Sequence, residues 1–338
     1  MKFKSLFASF GLAFAATAGV QAQTIITASS WLPPTHILSI SQRQWCEALG
    51  TESAGRMRCN ILPRAVSAPP GTYDAIKNGL ADISFTVHGY TPGRFVYTQM
   101  AELPFLGNLA EPVSIAFERM AKRHPAIRQE HQGVKVLTLF THGPGIVFNT
   151  KRPISKLDEL SGLKFRVGGG MVNEISKTLN MNVTLKPAPE SFELLSTGVM
   201  DGTLFPAESV ESFKIDKVVR YATTFNGGLY NTSFVFMMNP ATFDKLSAQD
   251  KAVVDKISGE FAARLFGRNW DSQDRKGMAY MQVSGVQFTK ADAKFIADVK
   301  SRTSELEGKW ASDAAAKGLP SPERILAEFR TEIAKLDK

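Results

Sequence analysis

Ala75-Ile76-Lys77-Asn78-Gly79-Leu80-Ala81-Asp82-Ile83 and Leu194-Leu195-Ser196-Thr197-Gly198-Val199-Met200-Asp201-Gly202 follow one pattern, each with Gly and Asp three residues apart. In both, a helix runs out at a Gly, which adopts the left-handed cap without steric cost, and Asp follows as the chain turns into a strand. Meeting this junction twice points to two related α/β lobes. Around the first copy, residues 24–31 read as a strand stopped by Pro33-Pro34. A helix at 36–52, a strand at 57–62, a helix at 72–78 and a strand at 82–88 then give a β-α-β-α-β order. Residues 112–132 read as one helix and 134–142 as a strand. Around the second copy, strands at 164–167 and 183–186 and from Thr203 alternate with helices ending at Leu179 and spanning 191–196.

The last hundred residues change character. A long helix starts at Asn239-Pro240, carries Phe243, Leu246, Val253, Val254, Ile257, Phe261 and Leu265 at helical spacing, and runs beyond Arg275. Two more helices, at 291–314 and 322–336, close the chain. Amphipathic helices of this kind cover sheets, so their expected work is bracing the lobes rather than chemistry.

The 338 residues are 43% hydrophobic and 21% charged, a globular composition at a length where one core usually divides into two. Lys2 and Lys4 precede an apolar run ending at Val20-Gln21-Ala22, which reads as a secretory signal peptide cut after Ala22. Its removal takes two lysines from the net charge of +8 and leaves +6. No cluster of Lys and Arg interleaved with aromatics stands out, so a small anion is the expected partner and a nucleic acid is not. Cys46 and Cys59 enter an oxidising compartment, where one disulfide and two buried thiols both remain open.

Sequence motifs for catalysis are missing. The five histidines form no metalloprotease pair, and no nucleophile elbow, Walker loop or dinucleotide fingerprint is present, so no metal, no cofactor and no enzyme activity are expected. The most informative segment is Gly162-Leu163-Lys164-Phe165-Arg166-Val167-Gly168-Gly169-Gly170. Arg166 stands at the end of an apolar strand, before glycines that let backbone N–H groups approach a ligand, and its guanidinium fork matches a carboxylate. An anion clamp and an arginine that is exposed or paired internally are both open at this level.

Longer stretches carry a resemblance. Ser30-Trp31-Leu32-Pro33-Pro34-Thr35-His36, Gly89-Tyr90-Thr91-Pro92-Gly93-Arg94-Phe95, Glu102-Leu103-Pro104-Phe105, Lys151-Arg152-Pro153-Ile154, the segment around Arg166, Thr197-Gly198-Val199-Met200-Asp201-Gly202 and Met237-Met238-Asn239 come in the order and spacing of one family. The mature chain resembles the extracytoplasmic solute receptors of TRAP transporters, the DctP-like family. The resemblance implies a two-lobe periplasmic-binding-protein (flytrap) fold with crossover strands and a long helix spanning both lobes. Lobe I is expected at 23–143 plus about 232–271, and lobe II at 144–231 plus about 272–338 with the C-terminal helices. It also implies a periplasmic, monomeric receptor that binds an organic acid in the cleft, turns nothing over, and delivers its cargo to integral membrane subunits driven by an ion gradient. Arg166 matches the family's carboxylate-binding arginine. A secreted hydrolase or lyase acting on such an acid, or a binding component of another transporter or sensor class, is the alternative.

Two departures bear on the ligand. Where sialic-acid-type receptors carry a second arginine this chain has Ile146, and where many members carry Asn it has Phe205, so a monocarboxylate with an apolar or aromatic portion is expected. Candidate walls are Trp31, Phe85, Tyr90, Phe148, Phe205, Phe225 and Tyr230. Candidate polar partners are His88, Asn149, Gly168, Glu208 and Ser209, while Arg94 reads as structural.

Overall fold

The computed structural model describes residues 23–337, so the leader and its cleavage after Ala22 lie outside the described residues. The chain begins with β1 (Thr24–Ala28), α1 (Ile37–Glu52), β2 (Met57–Ile61), α2 (Thr72–Lys77), β3 (Ile83–Val87), α3 (Ala110–Arg123), α4 (Pro125–Gln129) and β4 (Lys135–Thr141). It continues through β5 (Ile146–Asn149), β6 (Lys164–Val167), α5 (Met171–Thr178), β7 (Asn182–Leu185), α6 (Ser191–Ser196), β8 (Gly202–Phe205), α7 (Ser209–Ser212) and β9 (Tyr221–Thr224). Then come β10 (Ser233–Met238), α8 (Pro240–Lys245), α9 (Ala248–Lys256), α10 (Glu260–Val283), β11 (Gln287–Lys290), α11 (Ala293–Thr303), α12 (Glu305–Ala316) and α13 (Pro322–Leu336).

Two sheets result, ordered β2-β1-β3-β10-β4 and β7-β6-β8-β5-β9-β11. Three parallel strands followed by an antiparallel fourth recur in each. The two sequence echoes sit at equivalent corners of these sheets. Gly79 and Gly198 have φ of 76° and 72°. The Asp82 N–H donates to Thr27 O at 2.9 Å, and its carboxylate accepts the Thr27 N–H at 2.6 Å. Asp201 repeats this with Lys164, donating at 2.8 Å and accepting at 2.9 Å. Each Asp carbonyl then accepts the N–H next to the antiparallel fourth strand, from Asn239 and Thr150. The junction therefore ties three strands together, which accounts for the Gly-x-x-Asp spacing in both halves.

Helix boundaries differ from the sequence expectation where caps outcompete periodicity. The expected helix at 112–132 is α3 and α4, broken at His124 because Pro125 disfavours helical geometry at the residue before it. The expected long helix from Asn239 is three helices. Ser247 caps α9 by accepting the Asp250 N–H, and Gly259, at φ 60°, turns its N–H onto Leu137 O before α10 begins. Residues 291–314 divide likewise into α11 and α12.

Three connections join the lobes. His142 to Gly145 carries the chain from β4 to β5, and the stretch ending at Thr232 returns it to β10. These segments pair with one another, with the His142 N–H on Thr232 O at 3.2 Å and the Gly145 N–H on Tyr230 O at 2.8 Å. The third connection is α10. Its Asp271 accepts the first-turn N–H groups of α3, from Ala110 at 2.5 Å and Glu111 at 3.0 Å. One turn later, Asp274 accepts the Glu208 N–H of the second lobe at 2.8 Å. The last helix, α13, lies along α3 on the first-sheet side, where Glu332 pairs with Arg119 and Arg123, so the C-terminal helices do not belong to the second lobe alone.

The two cysteines, left open by the sequence, form a disulfide that ties α1 to the edge strand β2 across a sequence separation of 13. A loop of that size closed in the unfolded chain stabilises the native state by about 3 kcal/mol. The double variant Cys46→Ser/Cys59→Ser should lose about 2–3 kcal/mol in urea unfolding, and reductant should produce the same loss in the wild type. Superimposable unfolding curves would refute the constraint.

Candidate functional site

Arg166 sits in the middle of its sheet, on β6 beside Thr184 and Thr203, and is 2% exposed. Its Nε donates to Lys186 O at 2.8 Å, and its guanidinium lies 4.6 Å above the Phe205 ring. Among the described residues no carboxylate lies within ion-pair distance of it. The side chain is therefore neither exposed nor internally paired. Tyr90 faces it from the other lobe, its hydroxyl oxygen accepting the Ala188 N–H at 2.9 Å. With its oxygen accepting there, the hydroxyl proton is left to donate elsewhere. Burial raises the Tyr90 pKa above its ordinary value, so the proton stays on.

These groups open onto a cavity between the lobes. Trp31, Tyr90, Arg166, Gly168, Phe205, Ser209 and Tyr230 line it, each singled out by the sequence. The others stand elsewhere. Phe148 is buried at 0% exposure behind the wall, in a cluster that holds Ile146, Met281 and Ala222 as well as the lining residue Phe205. The Asn149 Oδ1 accepts the Lys151 and Arg152 N–H groups, holding the turn after β5. Phe85 stands behind Trp31, with its carbonyl accepting the indole N–H at 2.9 Å and its ring 5.7 Å from the indole, and Phe225 packs on Phe295. Glu208 lies behind the wall, 3.5 Å from His36 Nε2 and bonded by the hydroxyls of Ser209 and Ser212.

Beside Ser209, the polar residues that face the cavity are different ones, His36, His142 and Thr232. His36 caps α1 by accepting the Leu38 N–H on Nδ1 at 3.1 Å. His142 begins the first crossing. Burial lowers both pKa values, that of His142 to about 4, so both rings are neutral at pH 7. Phe213, Phe234 and Trp270 add to the walls. Trp270 corrects the expectation that the last hundred residues take no part. His36 stood within the quoted Pro-Pro-Thr-His run, whereas nothing local set Trp270 apart from the buried face it shares with Phe266.

A family model described as bacterial extracellular solute-binding protein, family 7, matches residues 28–313. A TRAP periplasmic solute-binding protein from Bordetella bronchiseptica, solved with bound (R)- and (S)-mandelate, is 42% identical with a TM-score of 0.90, covering 93% of this chain and 100% of that one. A marine metagenome TRAP solute-binding protein specific for aromatic acid ligands, solved with 3-hydroxybenzoate, is 29% identical with a TM-score of 0.88, covering 94% of this chain and 100% of that one. One from Rhodoferax ferrireducens, in complex with copurified benzoate, is 27% identical with a TM-score of 0.87, covering 93% and 98%.

His88 has a structural role instead of a place in the cavity. Its ring bonds Ser233 Oγ and His131 Nε2, each at 2.8 Å, and Ser233 in turn bonds Glu102 Oε1 at 2.7 Å. The second oxygen of Glu102 accepts the N–H of Met171, at the start of α5 in the other lobe, at 2.7 Å. Gly169 and Gly170 serve this approach, because a Cβ on either would collide with Gly89 or with the Glu102 carboxylate. Burial raises the Glu102 pKa to about 7 from an unfolded value near 4.5. The native state therefore binds this proton more tightly than the unfolded chain. Its stabilising contribution is complete below about 4.5 and is lost as the pH rises through about 7. Between pH of about 5 and about 7.5, the melting temperature of Glu102→Gln should fall less than that of the wild type. Parallel slopes for the two proteins would mean that the carboxyl does not titrate in that interval.

Proposed function

Because this chain belongs to family 7 of the bacterial extracellular solute-binding proteins, the TRAP receptors that its sequence resembles, we propose that it binds an aryl monocarboxylate between its lobes and presents it to the membrane subunits of a TRAP transporter. The observation that carries this is a guanidinium buried without a counter-ion in an aromatic cavity. Arginine keeps its charge even when burial lowers its pKa, so the site holds a positive charge that an incoming anion would neutralise. With Nε committed to Lys186, the terminal nitrogens and the Tyr90 hydroxyl remain for the two carboxylate oxygens.

One carboxylate suffices. Arg166 is the single Lys or Arg in the lining, and the two histidines there are neutral, so a second acidic group would enter unpaired. Trp31, Phe205, Phe213, Tyr230, Phe234 and Trp270 offer ring faces and edges for a flat apolar body. The aromatic acids bound by the 42% and 29% identical relatives agree with this chemistry.

Binding in this way couples to closure. The walls come from both lobes, from the crossings at His142 and Tyr230, and from α10 at Trp270. Opening the cleft separates Tyr90 from Ala188 and Arg166, so a ligand that needs all of them favours the closed state. The closed receptor is the form the membrane subunits would recognise. Secretion to the periplasm follows from the leader read in the sequence, and no helix of the described residues is long and apolar enough to cross a membrane.

The test is isothermal titration of benzoate and mandelate into the mature protein. Arg166→Ala should weaken binding by about 2–5 kcal/mol, tens- to thousands-fold, and Arg166→Lys should recover little because an ammonium lacks the fork. Wild-type affinity retained in Arg166→Ala, with an unchanged circular dichroism spectrum, would remove the anchor.

A further inference from the structure

The cavity wall closes into a circuit of side chains. From Arg166 over Phe205 the path runs to Phe213 at 5.4 Å between ring centroids, to His36 at 5.4 Å, and to Trp270 at 5.8 Å. It returns through His142 at 5.9 Å and Tyr230 at 5.4 Å, whose hydroxyl end neighbours Arg166 again. Arg166 and the arc of His36, Trp270 and His142 thus stand on opposite sides of the circuit.

On that far arc hydrogen bonding is incomplete. Trp270 is 3% exposed and its indole N–H has no partner among the described residues, an exception to the rule that buried donors are satisfied. Its neighbour His142 holds its proton on Nδ1, which donates to Gly143 O at 2.5 Å. The His142 Nε2 then presents a lone pair, and it too has no hydrogen-bond partner among the described residues. His36 is committed differently, accepting on Nδ1 and facing Glu208 with Nε2. The far arc therefore offers one free donor and one free acceptor on adjacent rings.

A hydroxyl group satisfies both at once, accepting from the indole and donating to the imidazole. A hydrogen or methyl satisfies neither. A methoxy group accepts but cannot donate, and a second carboxylate would meet the imidazole lone pair. We infer that the ligand carries a hydroxyl on the part of its aryl body farthest from the carboxylate, held between Trp270 Nε1–H and His142 Nε2. This rests on the aryl carboxylate assignment above and adds a specificity-determining pair to it.

The experiment compares, by isothermal titration, benzoate with 3- and 4-hydroxybenzoate and their methoxy analogues, and phenylacetate with its 3- and 4-hydroxy forms. In the wild type the better-placed hydroxy isomer should bind about tenfold or more tightly than its parent, and its methoxy analogue should lose that gain. In Trp270→Phe and in His142→Phe the ratio of hydroxy acid to parent should collapse towards one. Parents binding as well as every hydroxy isomer in the wild type would overturn the hydroxyl site and leave the carboxylate receptor standing. Binding of none of these acids would overturn both. A ratio undiminished in both variants would also overturn the assignment to these two side chains, and the wild-type series decides the hydroxyl preference even if a variant does not fold.

Discussion

A positive charge buried without a negative one is the constraint on which the site depends. Removing a guanidinium from water is costly unless hydrogen bonds and an opposite charge replace the lost solvation. Here the replacement is partial: Lys186 supplies a carbonyl, Tyr90 a phenolic oxygen and Phe205 a ring face. The remaining deficit is what the proposed carboxylate ligand would meet. A glutamate in the wall would satisfy Arg166 and abolish this. Glu208, the buried acid nearest the wall's histidines, is bonded instead to Ser209 and Ser212 and contacts His36.

The neutral histidines sharpen that arrangement. His36 and His142 line the same cavity and would add two positive charges if protonated. Burial lowers both pKa values, so Arg166 remains the single full charge in the wall near neutral pH. The rings contribute apolar faces and directional hydrogen bonding instead. A cavity with one charge, several ring faces and a few placed donors and acceptors discriminates by shape and by unpaired polar groups more than by net charge.

Around this site, the two lobes are two versions of one construction, held in register by Asp82 and Asp201 at the same corner of each sheet. What turns a duplicated sheet into a receptor is the exchange between them. The strand beyond the fourth in each sheet, β4 in one and β9 in the other, leads across to the interior fourth strand of the other sheet, and α10 anchors on both sides with two aspartates a turn apart. The crossings pass beside the cavity and supply His142 and Tyr230 to it.

Much of this was legible in the chain. Helix-ending glycines followed by Asp, an arginine in an apolar strand, and aromatic residues at strand ends are local signals, because backbone conformation and burial act on a few neighbouring residues at a time. They determined the paired α/β lobes and named Arg166, Trp31, Tyr90, Phe205 and Tyr230. Only the tertiary structure decided which histidines face the cavity, that Phe148 turns away from it, and that Trp270 of α10 joins it. The reason is geometric. The strands β3, β5 and β8 are buried on both faces, so alternation carries no mark of which face meets the ligand. A cavity walled by two lobes, two crossings and a helix is set by contacts between residues far apart in sequence, on which no local pattern reports.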